Sequence, residues 1–192
     1  MKKLDIKGIF TRPRKILFQP ESEWQVVSRE NTEGAELFCN FLVPLALVSA
    51  VCTFLLRLPS TSVLYALGIG LILFVSSVVG TYIAYRVSKE YLASRIKEAN
   101  RIALHLTIYS SAVFIPFHCL ASGFSEGFLS QLMAICSLLC LRTLYVGLNQ
   151  LTALDGQYRK SAIVIIGLLV IVSPIIVQQL LMIVFRIPTI YA

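Results

Sequence analysis

The sequence predicts an all-α, polytopic integral membrane protein with five transmembrane helices and a short amphipathic helix near the amino terminus. Of its 192 residues, 57% are hydrophobic and only 14% are charged, whereas soluble domains carry roughly a quarter charged residues. The apolar residues fall into five separated blocks, each close to the ~20 residues that cross ~30 Å of hydrocarbon. Basic residues cluster in the segments next to these blocks. The bilayer is therefore the expected solvent of this chain.

The amino-terminal segment 1–36 contains one helix start that the residue types predict. Pro20 suits a first helical position, Glu21 and Glu23 suit the first turn, and Trp24 and Val27 follow at i, i+3 spacing. We expect a helix on the membrane surface with Trp24 at headgroup level, in contact with lipid or a partner. A solvated helix without lipid contact is the alternative.

The first two crossings are predicted at 37–58 and 63–85. Hydroxyl side chains in the turn between them, at 60–62, can cap the second helix. The second crossing carries Ser76, Gly80 and Ala84 at four-residue spacing, which lets another backbone approach closely. We expect this ridge to pack inside the bundle, and a dimer face is the alternative.

The remaining crossings are predicted at 102–122, 127–148 and 161–185, and the third and fourth must form an antiparallel hairpin because their connection is short. Each odd-numbered crossing contains a proline, which frees a backbone carbonyl one turn earlier. These prolines and the nearby polar side chains could border a polar cavity formed by Asn40, Pro44, Pro116, His118, Pro174 and Gln178. Kinks that only allow five helices to pack are the alternative.

The distribution of lysine and arginine predicts the orientation. Fourteen of the 17 lie in the amino-terminal tail and in the second and fourth connectors, against Arg57 and Arg186 on the other side and Arg142 within a crossing. The positive-inside rule then places the amino terminus in the cytoplasm and the end 187–192 outside. The second connector is the most basic, and the side chains expected to contact anionic lipid or partners are Arg86, Lys89, Arg95, Lys97 and Arg101. Nucleic acid is not an expected partner, because no separate basic module is present.

The crossings lack the ionisable groups that catalysis in a membrane requires. Apart from Arg142, they contain no Asp, Glu, Lys or Arg away from their ends. His118, Cys119, Cys136 and Cys140 have metal-ligand chemistry, but His118 and Cys140 are expected at different depths. We expect no enzymatic activity, no cofactor and no metal.

Two stretches carry a resemblance to a known family. They are LFQPESEWQVV, in which Pro20 precedes Trp24 by four residues, and the exit from the fourth crossing, LRTLYVGLNQLTALDGQYRKSAIVIIGLLVIV. With five crossings and a cytoplasmic amino terminus, they resemble the bacterial branch of the Yip-one domain family, named for Ypt/Rab-interacting proteins. The resemblance implies a five-helix membrane domain over 37–186. The sequence lacks the Asp-Leu-Tyr-Gly-Pro motif and the long amino-terminal region of eukaryotic members, so GTPase binding is not carried over.

From these features we expect a non-enzymatic protein of the bacterial inner membrane. It would act as a membrane adaptor or organiser through contacts with anionic lipid, other membrane proteins or a second copy of itself. The alternative, from another functional class, is a small transporter or channel that uses the proline-kinked helices.

Overall fold

The computed structural model describes residues 6–29, 34–125, 127–152, 154 and 156–186, and these residues form helices and short connections with no strand among them. Five helical spans in this part of the chain are long and apolar enough to cross a bilayer, which confirms the predicted fold class. They are Gly34–Arg57, Val63–Ala93, Ala99–Gly123, Gly127–Leu151 and Gly156–Val184. The predicted outer end, 187–192, lies outside the described residues.

Two of the five spans are interrupted helices. The first consists of α3 (Gly34–Leu37), a π-helical turn (Phe38–Leu42) and α4 (Val43–Arg57). The second is α5 (Val63–Ala93) and the third is α6 (Ala99–Gly123). The fourth consists of α7 (Gly127–Ser137) and α8 (Leu139–Leu151), and the fifth is α9 (Gly156–Val184). Ser62 caps α5 by accepting a hydrogen bond from the Tyr65 amide at 3.4 Å, as predicted for this turn.

Helix α5 continues well into the segment expected to be a polar connector. It ends at Ala93, whereas the apolar block ends near Tyr85. Ser88 and Leu92 remain buried one and two turns beyond Ala84, so the inward face of the helix keeps its packing partners past the apolar block. The connector 86–101 is therefore mostly helix, with a short turn before α6.

Helix α6 lies at the centre of the bundle. In its most hydrophobic stretch, 83% of the residues are buried, whereas the other four spans range from 33% to 44%. It is also the least hydrophobic span, with a mean hydropathy of 1.4. Because its neighbours shield it from lipid, α6 can carry serine, threonine and histidine side chains that a lipid-facing helix would not tolerate.

The small-residue ridge of α5 lies in the interior and faces α9. Ser76, Gly80 and Ala84 are all buried. A Cβ atom added to Gly80 would lie 2.4 Å from the Cα atom of Pro174, closer than any real contact. Gly80 therefore permits the close approach of α5 to the proline of α9.

Two helices precede the membrane spans and pack against one end of the bundle. They are α1 (Ile6–Phe18), which the sequence analysis did not predict, and α2 (Pro20–Arg29), which begins at the predicted proline. Helix α1 contacts α6 and α8, and α2 contacts α8 and meets α6 through its Trp24 ring. We call this end of the bundle, with α1, α2, the connection between α5 and α6 and the connection between α8 and α9, the basic end. The opposite end, with the connections between α4 and α5 and between α6 and α7, is the far end.

The predicted contact of the Trp24 side chain with lipid is wrong. Its side chain is fully buried and meets the Tyr109 ring edge-to-face, with 5.7 Å between ring centroids. A Cβ atom added to Gly147 would lie 2.4 Å from Cζ2 of Trp24. The ring thus lies in a recess of α8 that exists because Gly147 has no side chain. Neither the lipid-contacting nor the solvated helix describes this packing.

Candidate functional site

The basic end is held together by an arginine that links α1 to α2 and α6. Arg12 donates a hydrogen bond from Nη1 to the Tyr109 hydroxyl at 2.6 Å. Its Nε atom lies 3.8 Å from Oε1 of Glu23. The Tyr109 ring is fully buried between Trp24, Phe41 and His105. One aromatic cluster therefore anchors both amino-terminal helices to the central helix of the bundle.

The five predicted contact residues of the connector occupy different environments. Arg86, Arg95 and Lys97 are exposed, whereas Lys89 and Arg101 are half-buried. The Arg95 guanidinium lies 3.8 Å from the centroid of the Tyr158 ring. Arg101 pairs with Glu98 at 2.5 Å and donates to the Ser28 carbonyl at 3.4 Å, which joins α6 to α2. Arg101 therefore has a structural role, and Arg86, Arg95 and Lys97 carry the exposed charge of the connector.

Further exposed cations on α1, α2 and α9 surround the connector. Among the described residues at the basic end, the exposed lysine and arginine side chains are Arg14, Lys15, Arg29, Arg86, Arg95, Lys97 and Lys160. The exposed carboxylates of the same part of the chain are Glu21, Glu90 and Glu98. Excess positive charge thus covers a surface whose shape is set by packed helices.

The junction of α1 and α2 presents an apolar side chain beside another arginine. The Phe18 side chain is 72% exposed. It borders a surface depression together with Arg142 of α8, which is also exposed. Arg142 lies nine residues before the end of α8, about 14 Å along the helix at 1.5 Å per residue. The junction therefore sits beside the wall of the membrane span.

Only two of the six residues predicted to border one polar cavity come together. His118 and Gln178 do meet, with 2.7 Å between Nε2 and Oε1. Asn40 is exposed near the basic end, because Phe41 and Leu42 of the π-helical turn take the buried positions. Pro174 packs on Gly80. Of the six, His118 and Gln178 line a cavity, whereas Asn40, Pro44, Pro116 and Pro174 do not.

The cavity that contains His118 and Gln178 lies toward the far end and has a volume of about 580 Å³. Its floor is α6 and its two long walls are α7 and α9. Lining residues recur along each helix at intervals of three or four, so one face of each helix contributes. Gln131 and Ala134 on α7 are exposed, which shows that the cavity opens sideways at that wall as a groove.

Arg57 closes the far end of this groove. The residue is 5% exposed, and its Nε and Nη2 atoms both donate to the Ser122 carbonyl, at 2.9 and 2.7 Å. Ser130 of α7 donates to the Ala121 carbonyl at 2.7 Å, so the start of α7 is also tied to α6. The described residues that line the groove include no Asp and no Glu.

Arg57, Gln131 and the serines of the groove were missed as cavity residues in the sequence, where Arg57 indicates only an outer-side charge. The signal was the cluster of polar side chains around the short connection between α6 and α7. These groups donate and accept hydrogen bonds.

Among the described residues, no group of three or more His, Cys, Asp or Glu side chains lies close enough to hold a metal ion.

The helical spans and the central buried helix define a multi-pass membrane protein. A family model for the Yip1 domain matches residues 14–178, from within α1 into α9. The chain belongs to the Yip1 domain family, which confirms the resemblance found in the sequence. No curated protein and no solved structure matches the chain.

Proposed function

We propose that this protein is a non-enzymatic adaptor or organiser of the bacterial inner membrane, with its basic end in the cytoplasm. It would act there through contacts with anionic lipid and with other membrane proteins. The observation that carries this proposal is the basic end itself, where packed helices present exposed cations next to an exposed apolar side chain.

Electrostatics supports contact with an anionic surface. The cytoplasmic leaflet carries negative lipids, and each lysine or arginine near such a surface contributes about 1 kcal/mol of attraction. Arg14 and Lys15 lie close to the exposed Phe18 on α1, and Arg29 ends α2. An apolar side chain flanked by cations is typical of a segment that lies at the headgroup boundary.

The packing of α1 and α2 supports a role as a preformed surface. Trp24 and Ile16 are fully buried, and Arg12 joins the two helices to Tyr109. A surface that is already ordered pays little conformational entropy when it binds. The small-residue ridge of α5 is covered by α9, so a second copy of the chain would have to use a different face.

Lipid analysis after reconstitution tests the electrostatic part. The protein is placed in nanodiscs with equal phosphatidylglycerol and phosphatidylcholine, and the lipid around it is measured in 0.1 and 0.5 M salt. We expect enrichment of phosphatidylglycerol that falls in high salt and in the triple variant Arg14→Gln, Lys15→Gln, Arg29→Gln. The control variant Ser22→Ala, Gln25→Ala alters uncharged exposed positions of α2. Equal enrichment in the triple variant would contradict the proposal.

Crosslinking in cells followed by affinity capture in mild detergent tests the adaptor part. A specific partner is expected to be captured by the wild-type protein and the control variant, and lost from the triple variant. Liposome flux assays separate the adaptor from a transporter or channel, with Pro116→Ala and Pro174→Ala as controls. An adaptor is expected to show no flux, and a flux that the proline variants change would favour the transporter.

A further inference from the structure

We propose that the groove at the far end binds a single lipid with an anionic headgroup, whose charged group lies against Arg57 and whose acyl chain runs between α7 and α9. The lipid would come from the leaflet at the far end, so this site is separate from the basic surface to which the function is assigned. Its volume of about 580 Å³ falls in the range of ~300–1,000 Å³ that is usual for ligand sites.

The charge of the groove favours an anion. A guanidinium has five N–H donors, and the two hydrogen bonds formed by Arg57 go to one carbonyl oxygen. Burial of a cation is unfavourable unless a counter-charge lies beside it. The groove contains no described carboxylate that could pair with it. A phosphate or carboxylate on a ligand would supply both the charge and the acceptors.

The polarity of the groove changes with depth, which favours an amphiphile over a small anion. At 1.5 Å per residue, Ser122 and Ser130 lie within ~5 Å of the far ends of their helices, and His118 and Gln178 lie at ~8–9 Å. Farther in, at roughly 14–20 Å, the walls are formed by Phe114 and by Ile175 and Ile171 of α9. Ser137 of α7 also lies at this depth, but its hydroxyl donates to the Ala134 carbonyl of its own helix at 2.6 Å. Polar partners thus surround the position of a headgroup, and apolar walls follow where an acyl chain would continue.

The length and the opening of the groove fit one lipid of one leaflet. Its inner end lies near the middle of a bilayer whose hydrocarbon is ~30 Å thick. The exposed Gln131 and Ala134 mark the side through which a lipid can enter from the surrounding bilayer. Hydrogen bonds from the Gln131 amide can reach a headgroup or ester without any charge in the hydrocarbon.

Native mass spectrometry of the purified full-length protein in detergent tests this inference. The probes are dilauroyl phosphatidylglycerol, dilauroyl phosphatidylcholine with the same chains, and inorganic phosphate. The measurement is made in 0.5 M ammonium acetate, which screens the exposed cations of the basic end. We then expect one phosphatidylglycerol to bind per chain on the order of tenfold more tightly than phosphatidylcholine, and no retention of phosphate alone. Equal binding of the two lipids, or retention of phosphate without a chain, would overturn the proposal.

Two matched pairs of variants locate the lipid. Arg57→Gln is expected to weaken phosphatidylglycerol binding on the order of tenfold, whereas Arg186→Gln removes an exposed charge at the same end that does not line the groove and should leave this binding unchanged. Ala134→Trp fills the groove from an exposed position and should abolish binding even though Arg57 is intact. Ile135→Trp is the control, because Ile135 is 64% exposed and does not line the groove. Unchanged binding in Ala134→Trp would overturn the proposal, even if Arg57→Gln failed to fold.

Glu126 requires its own variant, since it lies outside the described residues but between two groove residues in the sequence. Glu126→Gln should bind the lipid at least as well as the wild type, because the charge that holds the headgroup is that of Arg57. A loss similar to that of Arg57→Gln would show that the carboxylate is part of the site and would overturn this assignment.

Discussion

Arg12 and Arg57 lie at opposite ends of the bundle, and each donates a hydrogen bond to the central helix α6. Arg12 meets the Tyr109 hydroxyl and the Glu23 carboxylate, so the chain itself supplies its counter-charge. Arg57 meets the Ser122 carbonyl and lies beside an open groove. One end is therefore closed by the protein's own side chains, whereas the other has an open groove beside a buried cation.

The largest expected effect is the loss of the aromatic anchor at the closed end. Trp24→Ala should cost about 3–5 kcal/mol of the free energy that holds α2 on the bundle, because it empties a fully buried recess. Hydrogen exchange of the α2 amides measures this as lost protection. Phe18→Ala is the aromatic control at an exposed position. Equal protection of the α2 amides in both variants would contradict the conclusion that Trp24 anchors α2 on the bundle.

A side chain added at Gly147 would fill the recess in α8 that holds the Trp24 ring. Gly147→Ala should destabilise the contact by about 1–3 kcal/mol, since its Cβ atom would lie 2.4 Å from the Trp24 ring. The sequence has one tryptophan, so a red shift of its emission reports displacement of the ring. Gly156→Ala, with nothing within 4 Å of its Cβ atom, should leave the emission unchanged. A shift in both variants would argue against a specific clash.

A smaller effect is expected from the paired arginine. Arg12→Gln should lower the free energy of unfolding by about 1 kcal/mol, because a half-exposed charged hydrogen bond is partly replaced by water. Unfolding by sodium dodecyl sulfate in mixed micelles measures the difference. Arg14→Gln, at an exposed position of the same helix, should have no effect, and a similar loss there would assign the effect to net charge.

The smallest effect is expected at the open end. Arg57→Gln in lipid-free micelles should change the free energy of unfolding by less than about 1 kcal/mol in either direction. Removal of a buried charge without a carboxylate partner offsets the loss of its bonds to Ser122. The same unfolding measurement applies. A loss above about 3 kcal/mol would mean that Arg57 already has a counter-charge within the protein, and the two ends would then be alike.

The parts of the fold that depend on nearby residues could be predicted from the sequence. The five spans follow from hydrophobic blocks of the right length, the start of α2 from Pro20, and the cap of α5 from Ser62. Helix α1 was missed because its residues do not form an apolar block and Pro13 lies within it. Such local signals report the state of a segment, and apart from the small-residue ridge of α5 they do not identify the face on which it packs.

The candidate sites depend on residues far apart in the chain. Trp24 is buried because Gly147 lies opposite it, and His118 meets Gln178 across 60 positions. Arg57 joins the groove only because α4 ends beside the last turn of α6. The residue types suggested lipid contact for Trp24 and an outer-side charge for Arg57, and the packing shows instead a buried ring and a side chain that lines the groove.

By itself the sequence determined that this protein is a five-span helical bundle, because transfer of apolar blocks from water to lipid depends on composition and length alone. Only the tertiary structure decided that the amino-terminal helices close one end while a groove opens at the other. This difference between the two ends depends on steric fit between distant positions, such as a tryptophan ring against a glycine. Fit of this kind exists only after the helices have packed.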